Sequence, residues 1–202
     1  MRIRGPSLTL RYPREDDAAA LFELASDPEV IRFFSWGPYE RESEAREWVA
    51  SLERKRESGE RLELAIAGED DRLLGITGLS ELSGRDRRAV VGTWLGRPHW
   101  GSGANRESKA LVLALAFRRL RLLRVTAFAH PENARSLTAL ERIGFTREGV
   151  LRSWHVHRGA PRDVAILRLL REDFERGALA RVAVKFDGDP PAAWVIPNET
   201  SG

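Results

Sequence analysis

The sequence predicts a mixed α/β domain: a central, mostly antiparallel sheet of about seven strands, flanked by helices. Three observations predict it. Between residues 61 and 95, three apolar or alternating runs are separated by short polar turns and read as a meander. The last of these, Ala89 to Leu95, passes through a turn carrying Gly96, Gly101 and Gly103 into a helix. That helix leads to a second buried run, Arg124 to Ala129. A strand, a helix and a strand in that order form a crossover, which makes the two strands parallel.

Taken in order, Ser7 to Tyr12 alternates as a first strand, and the acidic run after Pro13 suits the positive end of a helix dipole. Ala18 to Ser26 is a short helix with Leu21, Phe22 and Leu24 turned inward, and Asp27-Pro28-Glu29 restarts a helical turn. Phe33 to Tyr39 is an aromatic loop. It reads equally as a lid over the core edge and as the wall of a substrate pocket formed by Phe34, Trp36 and Tyr39, with Trp154. Ser43 to Ser58 is a charged helix with Ala45, Trp48, Val49 and Leu52 on one stripe. Strands follow at Arg61 to Ala67 and Arg72 to Leu82, where Gly75 and Gly78 mark bulges or close backbone approach.

Beyond the glycine turn, a helix runs over Ser108 to Leu120 and a strand over Arg124 to Ala129. His130-Pro-Glu-Asn133 opens a helix carrying Leu137, Leu140 and Ile143, ended by Gly144. Val150 to His157 and Asp163 to Leu170 are the last two strands, joined by a turn at Arg158 to Pro161. Residues 1–176 thus form one domain. Residues 177–202 are an extension, in which 182–186 and 193–196 are expected to pair as an added hairpin, to reach another subunit or to be partly disordered.

Composition narrows the function classes. The chain has 202 residues, 42% hydrophobic and 31% charged, enough for one full core. Net charge is only +3 and the acidic residues are interspersed, which argues against a nucleic-acid surface. There is no cysteine, so disulfides, thiol catalysis and thiolate metal sites are excluded. The four histidines are scattered and no metal site is expected. No apolar run reaches the roughly 18 residues of a membrane span, and the N-terminus lacks a signal core. A cytoplasmic protein is expected, with no membrane partner; a homodimer is left open.

The stretch from Trp94 to Glu107 organises the chain. Glycines let a backbone approach a ligand closely, and the unbonded N–H groups of a helix start attract anions. Strand, glycine turn and helix start together make a phosphate cradle. By itself the cradle also suits a nucleotide enzyme.

Three motifs narrow it. Trp94-Leu-Gly-Arg-Pro-His-Trp-Gly-Ser-Gly103, then His130-Pro-Glu-Asn-Ala-Arg-Ser136 with Leu140-Glu-Arg-Ile-Gly-Phe145, then Arg147-Glu-Gly-Val-Leu151 with Asp163, occur in this order. Over residues 6–175 the chain resembles the GNAT N-acetyltransferases, specifically the RimJ/RimL-like branch that acetylates N-termini of ribosomal proteins. The resemblance implies a sheet splayed between the strands at 89–95 and 124–129, with acetyl-CoA as co-substrate. It implies cofactor contacts from Trp94, Leu95, Trp100, Gly101, Ser102, Gly103, Ala104, Asn105 and Arg106, and a pantetheine contact from Asn133. An N–H near Trp94 or Leu95 would polarise the thioester. Asn105 departs from the small residue usual at its place, and Arg106 stands where Thr or Ser is common.

The matching serine of the family, here Ser136, is implied to protonate the leaving thiolate. The branch's glutamate base falls on His155, whose residue type ordinarily titrates near neutrality. A base of that strength suits an α-amine of pKa about 7.7–8.0 better than a lysine amine near 10.4. The expected function is acetyl transfer from acetyl-CoA to a primary amine by direct attack in a ternary complex, with a protein N-terminus favoured. A small-molecule amine or antibiotic acceptor, and a non-catalytic acyl-CoA-binding module, remain as alternatives.

Overall fold

A computed structural model describes residues 1–157 and 159–196. Its strands are β1 (Arg2–Arg4), β2 (Thr9–Arg11), β3 (Arg61–Ala67), β4 (Leu73–Ser83), β5 (Arg88–Leu95), β6 (Arg124–Ala129), β7 (Thr146–His157), β8 (Ala160–Leu170) and β9 (Lys185–Asp187). Its helices are α1 (Ala18–Ala25), α2 (Pro28–Ile31), α3 (Glu42–Glu57), α4 (Ala104–Ala114), α5 (Ala134–Arg142) and α6 (Arg171–Arg176). All strands join one sheet in the order β7-β8-β6-β5-β4-β3-β2-β1-β9. Every pairing is antiparallel except β5–β6, which is parallel as the crossover requires.

The expected meander is β3, β4 and β5. Gly75 and Gly78 are places of close approach: a Cβ at Gly75 would collide with the Trp94 carbonyl, and one at Gly78 with the Glu63 carboxylate. Alternation divides the side chains between two cores. Leu62, Leu64, Leu79, Ala89, Val91 and Leu95 pack with α4 on one face. Ala65, Ile76 and Trp94 pack with Ala18 and Leu21 of α1 and Ala45 of α3 on the other. At the entry to α1 the buried Arg11 guanidinium grips Asp17 through two bonds of 2.7 and 2.8 Å.

Three expectations need correction. The helix expected from Ser108 starts at Ala104, because Gly103 adopts a left-handed conformation (φ +90°) and caps it. Asn105 and Arg106 therefore lie in its first turn. The strand expected from Val150 starts at Thr146, directly after the left-handed Gly144. Among its described residues the extension forms no hairpin of its own: Lys185–Asp187 pairs with Arg2–Arg4, and residues 192–194 form a short 3-10 turn. The two strands beyond the expected seven are this pair. Residues 197–202, and Arg158 of the expected turn, lie outside the described residues.

The course of the extension has a packing cause. Ala110 to Ala116 are at most 1% exposed, so the helix is apolar all round over this stretch, which runs from the later turns of α4 into the π-helical turn after it. A helix of that kind must be covered on its outer side too. Leu179 and Trp194 join the core cluster there, the latter fully buried with its indole N–H on the Arg56 carbonyl at 3.0 Å.

Candidate active site

β5 and β6 hold four parallel pairs, from Arg88–Arg124 to Val91–Ala127, and then part. β5 continues along β4 to Leu95 and β6 along β8 to Ala129, so Gly92–Leu95 and Phe128–Ala129 wall a gap. Alternation decides which backbone groups face it. Gly96 N–H donates to the Leu74 carbonyl at 2.9 Å and the Trp94 carbonyl abuts Gly75, so both point to β4. The amides of Thr93 and Leu95 therefore point into the gap. The Leu95 carbonyl accepts from the Trp100 indole N–H at 2.9 Å.

The cradle lies at the open end of this gap. A 3-10 turn over Arg97–His99 is tied to the start of α2 by the Arg97–Asp27 ion pair at 2.7 Å. Gly101 and Gly103 are left-handed (φ +77° and +90°), and a Cβ on either would meet no atom within 4 Å. The space in front of them is open. Ser102 spends its hydroxyl on the His99 carbonyl at 2.8 Å. The first bond of α4 runs from Glu107 N–H to the Gly103 carbonyl, which leaves the amides of Asn105 and Arg106 ahead of the ladder. Glu107 faces away and binds Ser7 and Leu8, fixing the helix start to the N-terminal strands.

α5 closes the other side. Asn133 is its N-cap: Oδ1 accepts from Ser136 N–H at 3.1 Å, and its amide NH2 is not needed for the cap. Ser136 is half-buried one turn into the helix. Between them in sequence, Arg135 lays its guanidinium on the Trp100 ring, 3.3 Å from the centroid, and so links α5 to the cradle. That contact sets the first turn of α5, which carries Asn133 and Ser136, beside Trp100.

The aromatic loop reaches across the mouth of the gap. Trp36 packs on Trp94 (5.7 Å), Tyr39 (5.8 Å) and Phe34 (5.2 Å), while Phe33 packs on His130 beyond the end of β6 (5.2 Å). On the far side, Trp154 is half exposed and lies 6.2 Å from Phe128. His155 sits on β7 opposite Arg162 of β8, three strands from β5. A cavity of about 410 Å³ separates this hairpin from residues 130–132, with Arg162 and Asp163 on its hairpin side.

Two buried charges were not foreseen. Lys109, 5% exposed, donates to Thr93 Oγ1 at 2.6 Å, and Thr93 in turn shares a 2.6 Å bond with Thr77. No carboxylate pairs with it among the described residues, and burial pushes its pKa down to about 7. Its signal was present as a lysine on an otherwise apolar helix stripe. Glu63, on the opposite face, is raised above the usual carboxylate range by burial, against the pull of Arg61. Nearby, burial first and the charges of Glu44 and Glu63 second push the Tyr39 phenol up to about 12.

Comparison with known proteins agrees with this architecture. Residues 7–146 match the family described as Acetyltransferase (GNAT) domain. The chain is similar to "Uncharacterized N-acetyltransferase p20" of Bacillus licheniformis, 32% identical over 168 residues, covering 83% of this chain and 94% of that protein. It is also similar to "Putative ribosomal N-acetyltransferase YdaF" of Bacillus subtilis (strain 168), 31% identical over 106 residues, 52% of this chain and 58% of that protein. The fold is shared with the structure of Mycobacterium smegmatis RimJ in complex with CoA-disulfide, at 24% identity and a TM-score of 0.79, covering 90% of this chain and 91% of that one. With its parted parallel strands, glycine cradle and capped α5 in one place, the chain belongs to the GNAT acetyltransferases.

Proposed function

We propose that the protein moves the acetyl group of acetyl-CoA to a primary amine, an N-terminal α-amine of a protein first among them, by direct attack in a ternary complex. The observation that carries this reading is the gap between β5 and β6, with two inward amides on its wall and the cradle at its open end. The pyrophosphate fits the amides of Asn105 and Arg106 at the start of α4, with the Arg106 side chain as a counter-charge. The side-chain-free turns at Gly101 and Gly103, beside Trp100, Ser102 and Ala104, suit a phosphate's close approach. The pantetheine arm fits the gap along Trp94 and Leu95, within reach of the Asn133 amide NH2.

Acetyl-CoA supplies an acyl carbon activated as a thioester. The amides of Thr93 and Leu95 are aimed where negative charge develops on the thioester oxygen, and fixed donors of that kind stabilise it without reorganisation. Ser136 protonates the leaving thiolate in this reading. His155 is the sequence's candidate for the amine's proton, and Phe34, Trp36, Tyr39 and Trp154 are candidates for the acceptor's walls. An α-amine, already partly neutral near pH 8, needs less help than a lysine side chain. The relative named as a ribosomal N-acetyltransferase supports the same preference.

The test is calorimetry with acetyl-CoA followed by thiol release over a panel of N-terminal peptides, polyamines and aminoglycosides. Binding with turnover on Ser- or Ala-initiated peptides is the expected result. Turnover confined to polyamines or aminoglycosides would replace the acceptor class. Binding without turnover on any amine would leave an acyl-CoA-binding module.

A further inference from the structure

Gly92 is exposed to solvent although it lies on β5, in the middle of the sheet. A Cβ added there would meet nothing within 4 Å. Its antiparallel partner is Gly78, and the Glu63 carboxylate lies over Gly78, filling the place a side chain would take. Alternation sets Glu63, Gly78, Gly92 and Trp94 on the face that carries α1 and α3, opposite α4. Gly92 leaves that face bare at the point where β5 and β6 part, and Gly78 beside it makes room for the Glu63 carboxylate. The result is a passage from solvent to the β5 backbone, with one carboxylate beside it. Trp94, two residues along the same strand face, continues its wall through Trp36 and Tyr39.

We propose that this hollow admits the reactive amine of the acceptor, and that Glu63 is the catalytic residue that binds its ammonium and takes its proton. The proposal rests on the acetyltransferase reading and deepens it. The ammonium gives one proton to Glu63, and the freed nitrogen pair attacks the thioester carbon. A C–N bond forms, the C–S bond breaks, and the sulfur leaves with the electron pair. The second proton lost by the nitrogen balances the thiolate, through Ser136. The carboxyl of Glu63 then returns its proton to solvent through the opening at Gly92. Burial, the largest influence on Glu63, raises its pKa and makes it a stronger proton acceptor than an exposed carboxylate. It does so against the opposing pull of Arg61, which donates to it at 3.2 Å, and of Lys55; the Tyr39 phenol is the other titratable group that feels it.

The experiment compares wild type, Glu63→Gln, Gly92→Val and His155→Ala on a Ser-initiated peptide, an Ala-initiated peptide and spermidine. Glu63→Gln is expected to lower kcat/KM for the amine about 100-fold or more and to move the low-pH limb of the pH–rate profile up to the amine's own pKa. Its Kd for acetyl-CoA stays within about twofold of wild type. The glutamine keeps the shape of the carboxylate and a hydrogen-bond acceptor for Arg61, and a melting temperature measured beside the rate separates lost activity from lost fold. Gly92→Val fills the hollow with a residue suited to a strand, and the same loss of amine turnover is expected with acetyl-CoA binding retained. A Glu63→Gln enzyme within threefold of wild type overturns the proposal while the acetyltransferase reading stands. So does a low-pH limb that moves in His155→Ala but not in Glu63→Gln. A wild-type protein that binds acetyl-CoA and acetylates none of the amines overturns both.

Discussion

Lys109 costs the protein stability whenever it is charged. Its ammonium has one hydroxyl for a partner, at the base of the gap, and no carboxylate among the described residues. With the folded pKa near 7 and an unfolded lysine near 10.4, the unfolded chain holds a proton between those values that the folded chain has released. Raising pH through that window therefore favours folding. Lys109→Met keeps the length of the stem and removes the charge. Urea midpoints at pH 7 and pH 9 should show the variant more stable at pH 7, by on the order of 3 kcal/mol, with the advantage shrinking at pH 9. An advantage independent of pH would mean that Lys109 is not the titrating group. The lysine's hydroxyl partner, Thr93, bears an amide that faces the gap, so the same variant also reports on the geometry there.

At the scale of one element, α5 does two things with one residue. Asn133 caps the helix through its carbonyl oxygen and has an amide NH2 to offer a ligand. Substitution separates the two. Asn133→Ala loses the cap and should cost about 1 kcal/mol of stability, whereas Asn133→Ser keeps it. Both variants lose the NH2 group. A denaturation series and acetyl-CoA calorimetry on the pair should show stability lost only in the alanine variant and affinity lost in both. Affinity preserved in the serine variant would reduce Asn133 to a cap. α4 shows the same economy: the amides of its first turn belong to the glycine cradle, and its later turns, apolar on every side, anchor the sheet, so the candidate cradle rests on a deeply buried helix.

Across the whole molecule, the extension after Gly177 is part of the fold. Lys185–Asp187 extends the sheet beyond β1, Arg119 reaches Asp189 at 2.5 Å, and Trp194 is fully buried against the end of α3. Trp194→Ala should destabilise the protein by about 3–5 kcal/mol, the usual cost of emptying a buried aromatic site. Truncation before Ala178 should cost more, because it also uncovers α4 and leaves β1 as an unpaired edge. Thermal melts of both variants give the order, and a truncated chain as stable as the full one would make the extension dispensable.

Local chemistry settled what could be read along the chain. The alternation of Leu62, Leu64 and Ile66, the crossover between two apolar runs, the glycines at 96, 101 and 103, and the Asn133 cap each act over a few residues. Those features carried the element order, the parallel pair and the cradle. The tertiary structure decided what depends on distant partners. Val182–Phe186 carries the same strand pattern whether it pairs within the extension or with Arg2–Arg4, and only the uncovered side of α4 selects the second. Gly92 looks like any strand glycine until Gly78 stands beside it with Glu63 above. Lys109 looks like a surface charge until the sheet closes over it. Side-chain chemistry is local, but burial, pKa and the shape of a hollow are set by residues tens of positions away.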